Sequence, residues 1–234
     1  MMTINQCYIQ FIKEIIKNGK ETYKDSNHHL IEKLGNYYLI EDPLNLKYRI
    51  NYQHYTTTRM LTDIKNGEYD LPGSPIKSDA LYEYVKSFED ESDQGFVYSY
   101  PNRILAHFNI NQFNVMKKRL QHNPGSNRAV AVTYDPPLDA DREDIPCLQF
   151  IQVIIRNNEL TIHCIFRSND IYGAFYSNMY FITYIGLKMT EELNKDLINT
   201  KISFGGIHYH STSGHIYYTD LKAARKLLKK KTKK

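Results

Sequence analysis

The sequence predicts an α+β fold: one domain with a mixed, mainly antiparallel sheet flanked by helices. Three observations carry this. Helix-like and strand-like blocks follow one another without a regular βαβ alternation. No internal repeat or long linker divides the chain. Its 234 residues, 41% hydrophobic and 24% charged, suffice for one substantial core.

Thr3 precedes Ile4, Tyr8, Phe11, Ile12 and Ile15 at helical spacing, and Asn18-Gly19 ends that pattern, so the chain opens with a helix. The run YYLIEDP reads as a strand stopped by Pro43, followed by a polar, turn-rich middle as far as LPGSP. Ser78 then caps a helix containing Ala80, Leu81, Tyr84, Val85 and Phe88. GFVYSYP reads as a strand, and NQFNVMKKRLQHNPGS as a helix stopped at Asn123-Pro124-Gly125. Strands are predicted in NRAVAVTYDPP, CLQFIQVIIR and LTIHCIFRS, the last two joined in a hairpin through Asn157 to Glu159. A long helix over SNMYFITYIGLKMTEEL, a strand-like ISFGGIHYHSTSGHIYY and a basic helix complete the chain. Residues 1–221 are read as the domain and 222–234 as a basic tail.

No apolar run approaches the ~20 residues that span a bilayer. Lys13 and Glu14 interrupt the apolar part of the N-terminus, unlike a signal peptide, so no membrane segment and a cytoplasmic location are expected. Cys7, Cys147 and Cys164 are an odd number without paired spacing, which argues for reduced thiols rather than disulfides or a cysteine-rich zinc site. The tail from Lys222 holds 8 of the 30 basic residues and no acid, leaving 22 basic against 26 acidic residues in the body. The body is therefore no general binder of polyanions, and nucleic acid is not an expected partner. His208 and His210, at i and i+2, share a strand face and His215 five positions on could add a third ligand, but no neighbouring carboxylate completes a set, so no metal is expected.

The chemistry concentrates between residues 142 and 178. Pro146 precedes Cys147 at the mouth of a strand, which holds the thiol at an element edge within reach of a ligand. Arg167-Ser168-Asn169-Asp170 then places a planar cation, a hydroxyl and a carboxylate at a strand-to-loop junction. Arginine and serine suit phosphate oxygens, and a cation beside a thiol favours its thiolate. Asn178, at the head of the long helix, both donates and accepts and so can read a pyrimidine edge.

NPGSNRAVAVTYDPP, PCLQFIQ, RSNDIYGAFYSN and HIYYTD occur in the order and approximate spacing of thymidylate synthases and related pyrimidine-nucleotide hydroxymethylases. VYSYPNRI and PCLQ resemble the short archaeal branch, and the resemblance covers about residues 95 to 220. It implies a thymidylate synthase-like fold and C5-methylation of dUMP to dTMP through a covalent bond from Cys147 to C6 of the uracil. Arg167 and Ser168 would hold the nucleotide phosphate. Arg128 would be donated across the interface of a homodimer. Asn178 would read the base, His215 and Tyr217 would hold the ribose 3′-hydroxyl, Tyr98 would assist proton removal from C5, and Asp170 would contact the one-carbon cofactor. That cofactor would be 5,10-methylenetetrahydrofolate or a related methylene-pterin.

The chain also departs from the family pattern. Leu148 stands where most members have histidine, Asn127 where many have a second arginine, there is no tryptophan, and KKKTKK replaces a short apolar C-terminus. Glu83 is the candidate for the family's proton-managing glutamate. Arg49 and Arg59 are further candidates for the phosphate, with nothing to choose between them. Because most departures fall on the cofactor side, two alternatives stand beside the methyltransferase: a 5-hydroxymethylase acting on dUMP or dCMP, and a catalytically silent nucleotide-binding homologue.

Overall fold

The computed structural model describes the chain except residues 25–27, 47–51, 93–94, 197–200 and 232–234, and the side chains of residues 53, 230 and 231. Arg49 therefore lies outside the described residues. A six-stranded sheet runs through the domain. Its strands are β1 (Lys20–Lys24), β2 (His28–Ile40), β3 (Val130–Val132), β4 (Leu148–Arg156), β5 (Glu159–Asp170) and β6 (Ser203–Tyr217). Their order is β1-β2-β6-β5-β4-β3, and every pairing is antiparallel except β5 with β6.

Helix α1 (Ile4–Asn18) forms as its sequence dictates. Thr3 and Gln6 satisfy each other's backbone N–H groups in a capping box, at 3.2 and 2.9 Å. Ile4, Tyr8, Phe11, Ile12 and Ile15 are all buried, and the Gly19 N–H closes the last turn on the Ile15 carbonyl at 2.8 Å. The hairpin between β4 and β5 turns on Asn157 and Asn158, both at positive φ, a conformation asparagine tolerates.

Helix α7 (Phe175–Asp196) is the crossover that the parallel β5–β6 pair requires. It is buried around most of its circumference rather than along one stripe, which places it at the centre of the core. Gly186 permits that depth: a Cβ there would stand 2.3 Å from the Phe204 ring of β6.

Five local expectations are corrected. KETYK, passed over in the sequence, is edge strand β1, and β2 extends well upstream of YYLI. The polar middle contains α2 (Thr57–Lys65), capped by the Thr56 side chain accepting from the Arg59 N–H. Lys77, not Ser78, is the N-cap of α3 (Ser78–Lys86), and Ser78 is its first residue. GFVYSYP is not a strand. Ser99 caps a short helix, α4 (Tyr100–Leu105), with Pro101 in its first turn, and the residues before it form the wall of a cavity. The remaining helices are α5 (Gln112–His122), α6 (Pro136–Asp139) and α8 (Leu221–Lys231), making eight among the described residues. None of these is long and apolar enough to cross a membrane.

Helices α4 and α6 are riveted by a buried ion pair. The Arg103 guanidinium donates to both carboxylate oxygens of Asp139, at 2.7 and 3.0 Å, and to the Thr133 carbonyl at 3.2 Å. Burial alone would raise the Asp139 carboxyl, but Arg103 and the Asp135 amide hold it below the ordinary value.

Candidate functional site

A cavity of about 1020 Å³ opens where the C-terminal ends of β5 and β6 meet the head of α7. Asn169 and Asp170 come from β5, His215 and Tyr217 from β6, and Ala174, Asn178 and Phe181 from α7 and the turn before it. Helix α3 contributes Glu83, Tyr84 and Lys86; the segment before α4 contributes Phe96, Val97 and Tyr98; Cys147 and Asp144 close one side. Seven of the ten site residues expected from the sequence thus line one space: Cys147, Tyr98, Asp170, Glu83, Asn178, His215 and Tyr217.

Cys147 is half-buried and faces the cavity, whereas Cys7 and Cys164 are fully buried in the core, where burial pushes their thiols well up. It precedes β4, where the ladder shifts register between Leu148 and Phe150. Such an irregularity re-aims the chain beside a site. The Leu148 N–H donates to the Tyr100 hydroxyl at 3.2 Å, and the Leu148 side chain is buried, so this position serves packing and backbone anchoring.

Arg167 is not among the cavity-lining residues. Its Nε donates to the Pro146 carbonyl at 3.0 Å, Nη2 to the Ile145 carbonyl at 2.7 Å, and its backbone N–H to the Cys147 carbonyl at 2.8 Å. Three bonds from one residue clasp the segment carrying the thiol. Arg128 is also outside the cavity, exposed two residues before β3. Asn127 beside it is tied to β4 by Gln152 at 2.7 Å and Arg156 at 2.6 Å, which fixes the direction in which Arg128 leaves the surface. Arg59 pairs with Asp63 at 2.8 Å on α2, away from the cavity.

Ser168 sits behind the cavity wall, its Oγ 3.3 Å from both the Lys24 Nζ and the His215 Nδ1. His215 is only 2% exposed, and its Nε2 has no hydrogen-bond partner. Burial, with Lys24 and Arg167 nearby, pushes its pKa down to about 4, so the ring is neutral near pH 7. An orphaned buried nitrogen in a cavity wall is a place for a ligand hydroxyl. His208 and His210 lie instead on the opposite, outer face of the sheet, where His208 stacks on His163 at 4.1 Å. Among the described residues no group of three His, Cys, Asp or Glu side chains could hold a metal.

The His215 shift makes a stability prediction. An unfolded histidine takes its proton near 6.5 and the folded one near 4. The unfolded chain therefore binds more protons between those values, and stability present above pH 6.5 is lost as the pH falls toward 4, by roughly 3 kcal/mol for this group. His215→Asn is expected to flatten the fall in urea midpoint between pH 7 and pH 4.5, leaving the share of His163, whose pKa is also pushed to about 4. An unchanged slope would contradict this account.

Asp170 is raised mainly by burial, while the Gly173 N–H donates to its Oδ1 at 3.0 Å. Gly173 is required here, since a Cβ would stand 2.3 Å from Oδ2. Burial, with Cys147 and Asp144 adding to it, pushes the Tyr98 phenol up, so any proton transfer there involves a neutral hydroxyl. Asn178 accepts from the Tyr84 hydroxyl at 2.7 Å and donates to the Asn169 Oδ1 at 3.3 Å. Glu83 reaches the cavity rim from an exposed turn of α3.

Lys24, Tyr84, Tyr100 and Asn169 were not singled out in the sequence. Lys24 belongs to an edge strand without apolar alternation, and Tyr84 entered only as one residue of a helical stripe. Asn169 stood inside RSND and was the one with a usable signal.

The arrangement offers a nucleophile, a neutral phenol, a buried carboxyl, an amide and an unpartnered imidazole around one cavity. The family model described as thymidylate synthase matches residues 6–234. A Methanothermobacter marburgensis protein named "Putative thymidylate synthase" is 28% identical over 97% of this chain and 95% of its own. Its namesake from Methanothermobacter thermautotrophicus is 29% identical over 94% and 93%. One from Methanosarcina barkeri is 34% identical over 64% of this chain and 66% of its own.

Proposed function

Because the chain belongs to the thymidylate synthase family, we propose that it is a one-carbon transferase converting dUMP to dTMP, with Cys147 as its nucleophile. The observation that carries this is that Cys147 alone of the three thiols faces a cavity shared with Asn178, Asp170, Tyr98 and His215. The sulfur adds to C6 of the uracil, and C5 becomes the carbon nucleophile. Asn178 presents an amide to the N3–H and O4 edge. The His215 Nε2 and Tyr217 receive the ribose 3′-hydroxyl, which supplies the partner that nitrogen lacks. Tyr98, held neutral, passes on the C5 proton through its oxygen, and Glu83 manages protons at the rim.

For the phosphate we propose Ser168 and Lys24 from this protomer, Arg167 through the nitrogen it does not commit to backbone, and Arg128 from a second copy. The outer sheet face exposes Tyr37, Leu39, Val130, Val132 and Ile165, an apolar surface suited to a homodimer. The one-carbon donor, methylenetetrahydrofolate or a related pterin, would supply both the carbon at the methylene level and the hydride that takes it to methyl, and the Cys147 thiolate leaves C6 as the C5=C6 double bond is restored. The cavity fits a flat heterocycle beside the nucleotide: it lies at the upper end of the range for small-molecule sites, and Phe96 and Val97 offer apolar surface at its mouth.

One observation favours a second reading. Phe96 is 67% and Val97 55% exposed, so the donor side is open to water, whose attack on the methylene would give a 5-hydroxymethyl nucleotide. The test is product mass from dUMP and, separately, dCMP with methylenetetrahydrofolate. A uracil nucleotide heavier by one methylene group supports the methyltransferase. A further oxygen moves the protein to the hydroxymethylase reading. Tritium release from C5 without product would place the fault with the donor, and no release with any donor would leave nucleotide binding alone.

A further inference from the structure

A thiol that attacks C6 and a phenol that serves C5 must be held at one spacing. Here they come from separate parts of the fold: Cys147 directly precedes β4, and Tyr98 lies in the segment before α4. One side chain joins the two. Tyr100, the first residue of α4, extends its hydroxyl to the backbone next to the thiol, where it accepts from the Leu148 N–H at 3.2 Å. An amide N–H can only donate, so the sense of this bond is fixed and the phenol oxygen is its acceptor. The bond falls beside the register shift between Leu148 and Phe150, the point at which strand pairing guides the chain least.

The Tyr100 ring packs in the cavity wall against Tyr98 at 5.8 Å and against Phe181 of α7 at 6.1 Å. Its place at the start of α4 is fixed by the Ser99 side chain, which accepts from the Asn102 N–H at 3.2 Å. Burial pushes both phenols up and Cys147 adds to it, so Tyr100 keeps its proton beside the thiol. Arg167 holds the carbonyls of the Cys147 segment from β5, whereas Tyr100 holds the following N–H from the segment that carries Tyr98. From this geometry we infer that Tyr100 is a positioning residue that sets the spacing between the Cys147 sulfur and the Tyr98 oxygen, and with it the rate of proton removal from C5. The inference rests on reading the cavity as a pyrimidine-nucleotide site. Tyr100 touches no reacting atom in this scheme; it acts through the Leu148 amide and the Tyr98 ring.

The test compares the intact parent protein with Tyr100→Phe, which keeps the ring and removes only the acceptor. Three quantities are read side by side: tritium release from C5 of dUMP with the donor that supports it in the parent, calorimetric dUMP binding, and alkylation of Cys147 by iodoacetamide. Tritium release is expected to fall roughly 10- to 100-fold. Affinity for dUMP and the alkylation rate are expected to stay within about twofold of the parent, since neither needs the thiol and the phenol at a set spacing. Unchanged release would overturn the inference. Release, binding and alkylation falling together would also overturn it and assign Tyr100 a merely structural role. A parent that releases no tritium with any donor would overturn the functional reading itself, and the inference with it. If Tyr100→Phe does not fold, Ser99→Ala loosens the start of α4 without altering either phenol and is expected to slow release while dUMP affinity is kept; no slowing there overturns the proposal.

Discussion

Replacing Cys147 with alanine is expected to abolish turnover, by at least about 10⁴-fold, while nucleotide affinity changes only a few fold. The large effect follows because no other thiol can substitute: Cys7 and Cys164 have no exposed surface. The small effect follows from how the segment is held. Arg167 bonds the carbonyls of Ile145, Pro146 and Cys147, contacts that do not involve the sulfur. The walls formed by β5, β6 and α7 also owe nothing to it. Tritium release from C5 of dUMP and calorimetric dUMP binding, run side by side, measure both halves. Exchange that persists in the variant would remove Cys147 from the mechanism. Binding lost in step with exchange would mean that the thiol shapes the cavity rather than reacting in it.

The largest stability effect is expected at Arg103. Truncating it to methionine leaves the Asp139 carboxylate buried without its cation, at a cost of about 3–5 kcal/mol. In a chain of this size that lowers the melting temperature by roughly 10 °C. Both partners are essentially without solvent exposure, so water cannot replace the lost bonds. The companion variant, Arg103→Met with Asp139→Leu, removes both charges and is expected to recover most of the loss. Scanning calorimetry distinguishes the cases. A single variant melting within about 2 °C of the parent would show that the pair contributes little. Because Arg103 lies on α4 beside Tyr98 and Tyr100, a slower C5 exchange is expected to accompany the loosening.

Much of this was legible because periodicity and burial agree. Thr3, Gln6 and the stripe from Ile4 to Ile15 specify α1 without outside help, and Asn157-Asn158 specify the β4–β5 turn. The failures share a cause. KETYK and TTRMLTDIK offer little apolar pattern of their own, since β1 is stabilised by pairing with β2 and two of the four residues that α2 buries, Thr57 and Asp63, are polar. GFVYSYP has strand composition, but its side chains are recruited to a cavity wall, and no neighbouring strand receives its backbone. In the cavity, residue types able to perform chemistry were visible: the thiol, the amide, the imidazole. Those that orient them, Tyr100 and Arg167's clasp on the backbone, depend on distances that no local spacing encodes.

The strand order has a bearing on biosynthesis. β6, the last in chain order of the six strands among the described residues, is inserted between β2 and β5, pairing Leu30 with Tyr217 and Asp170 with His215. Until the ribosome has released β6, the β1–β2 hairpin and the β3–β4–β5 meander have no shared partner, and the cavity lacks one wall. A nascent chain that has not yet delivered β6 therefore has no complete cavity. The long loop that must close before these pairs form also makes folding slow relative to helical proteins of similar length.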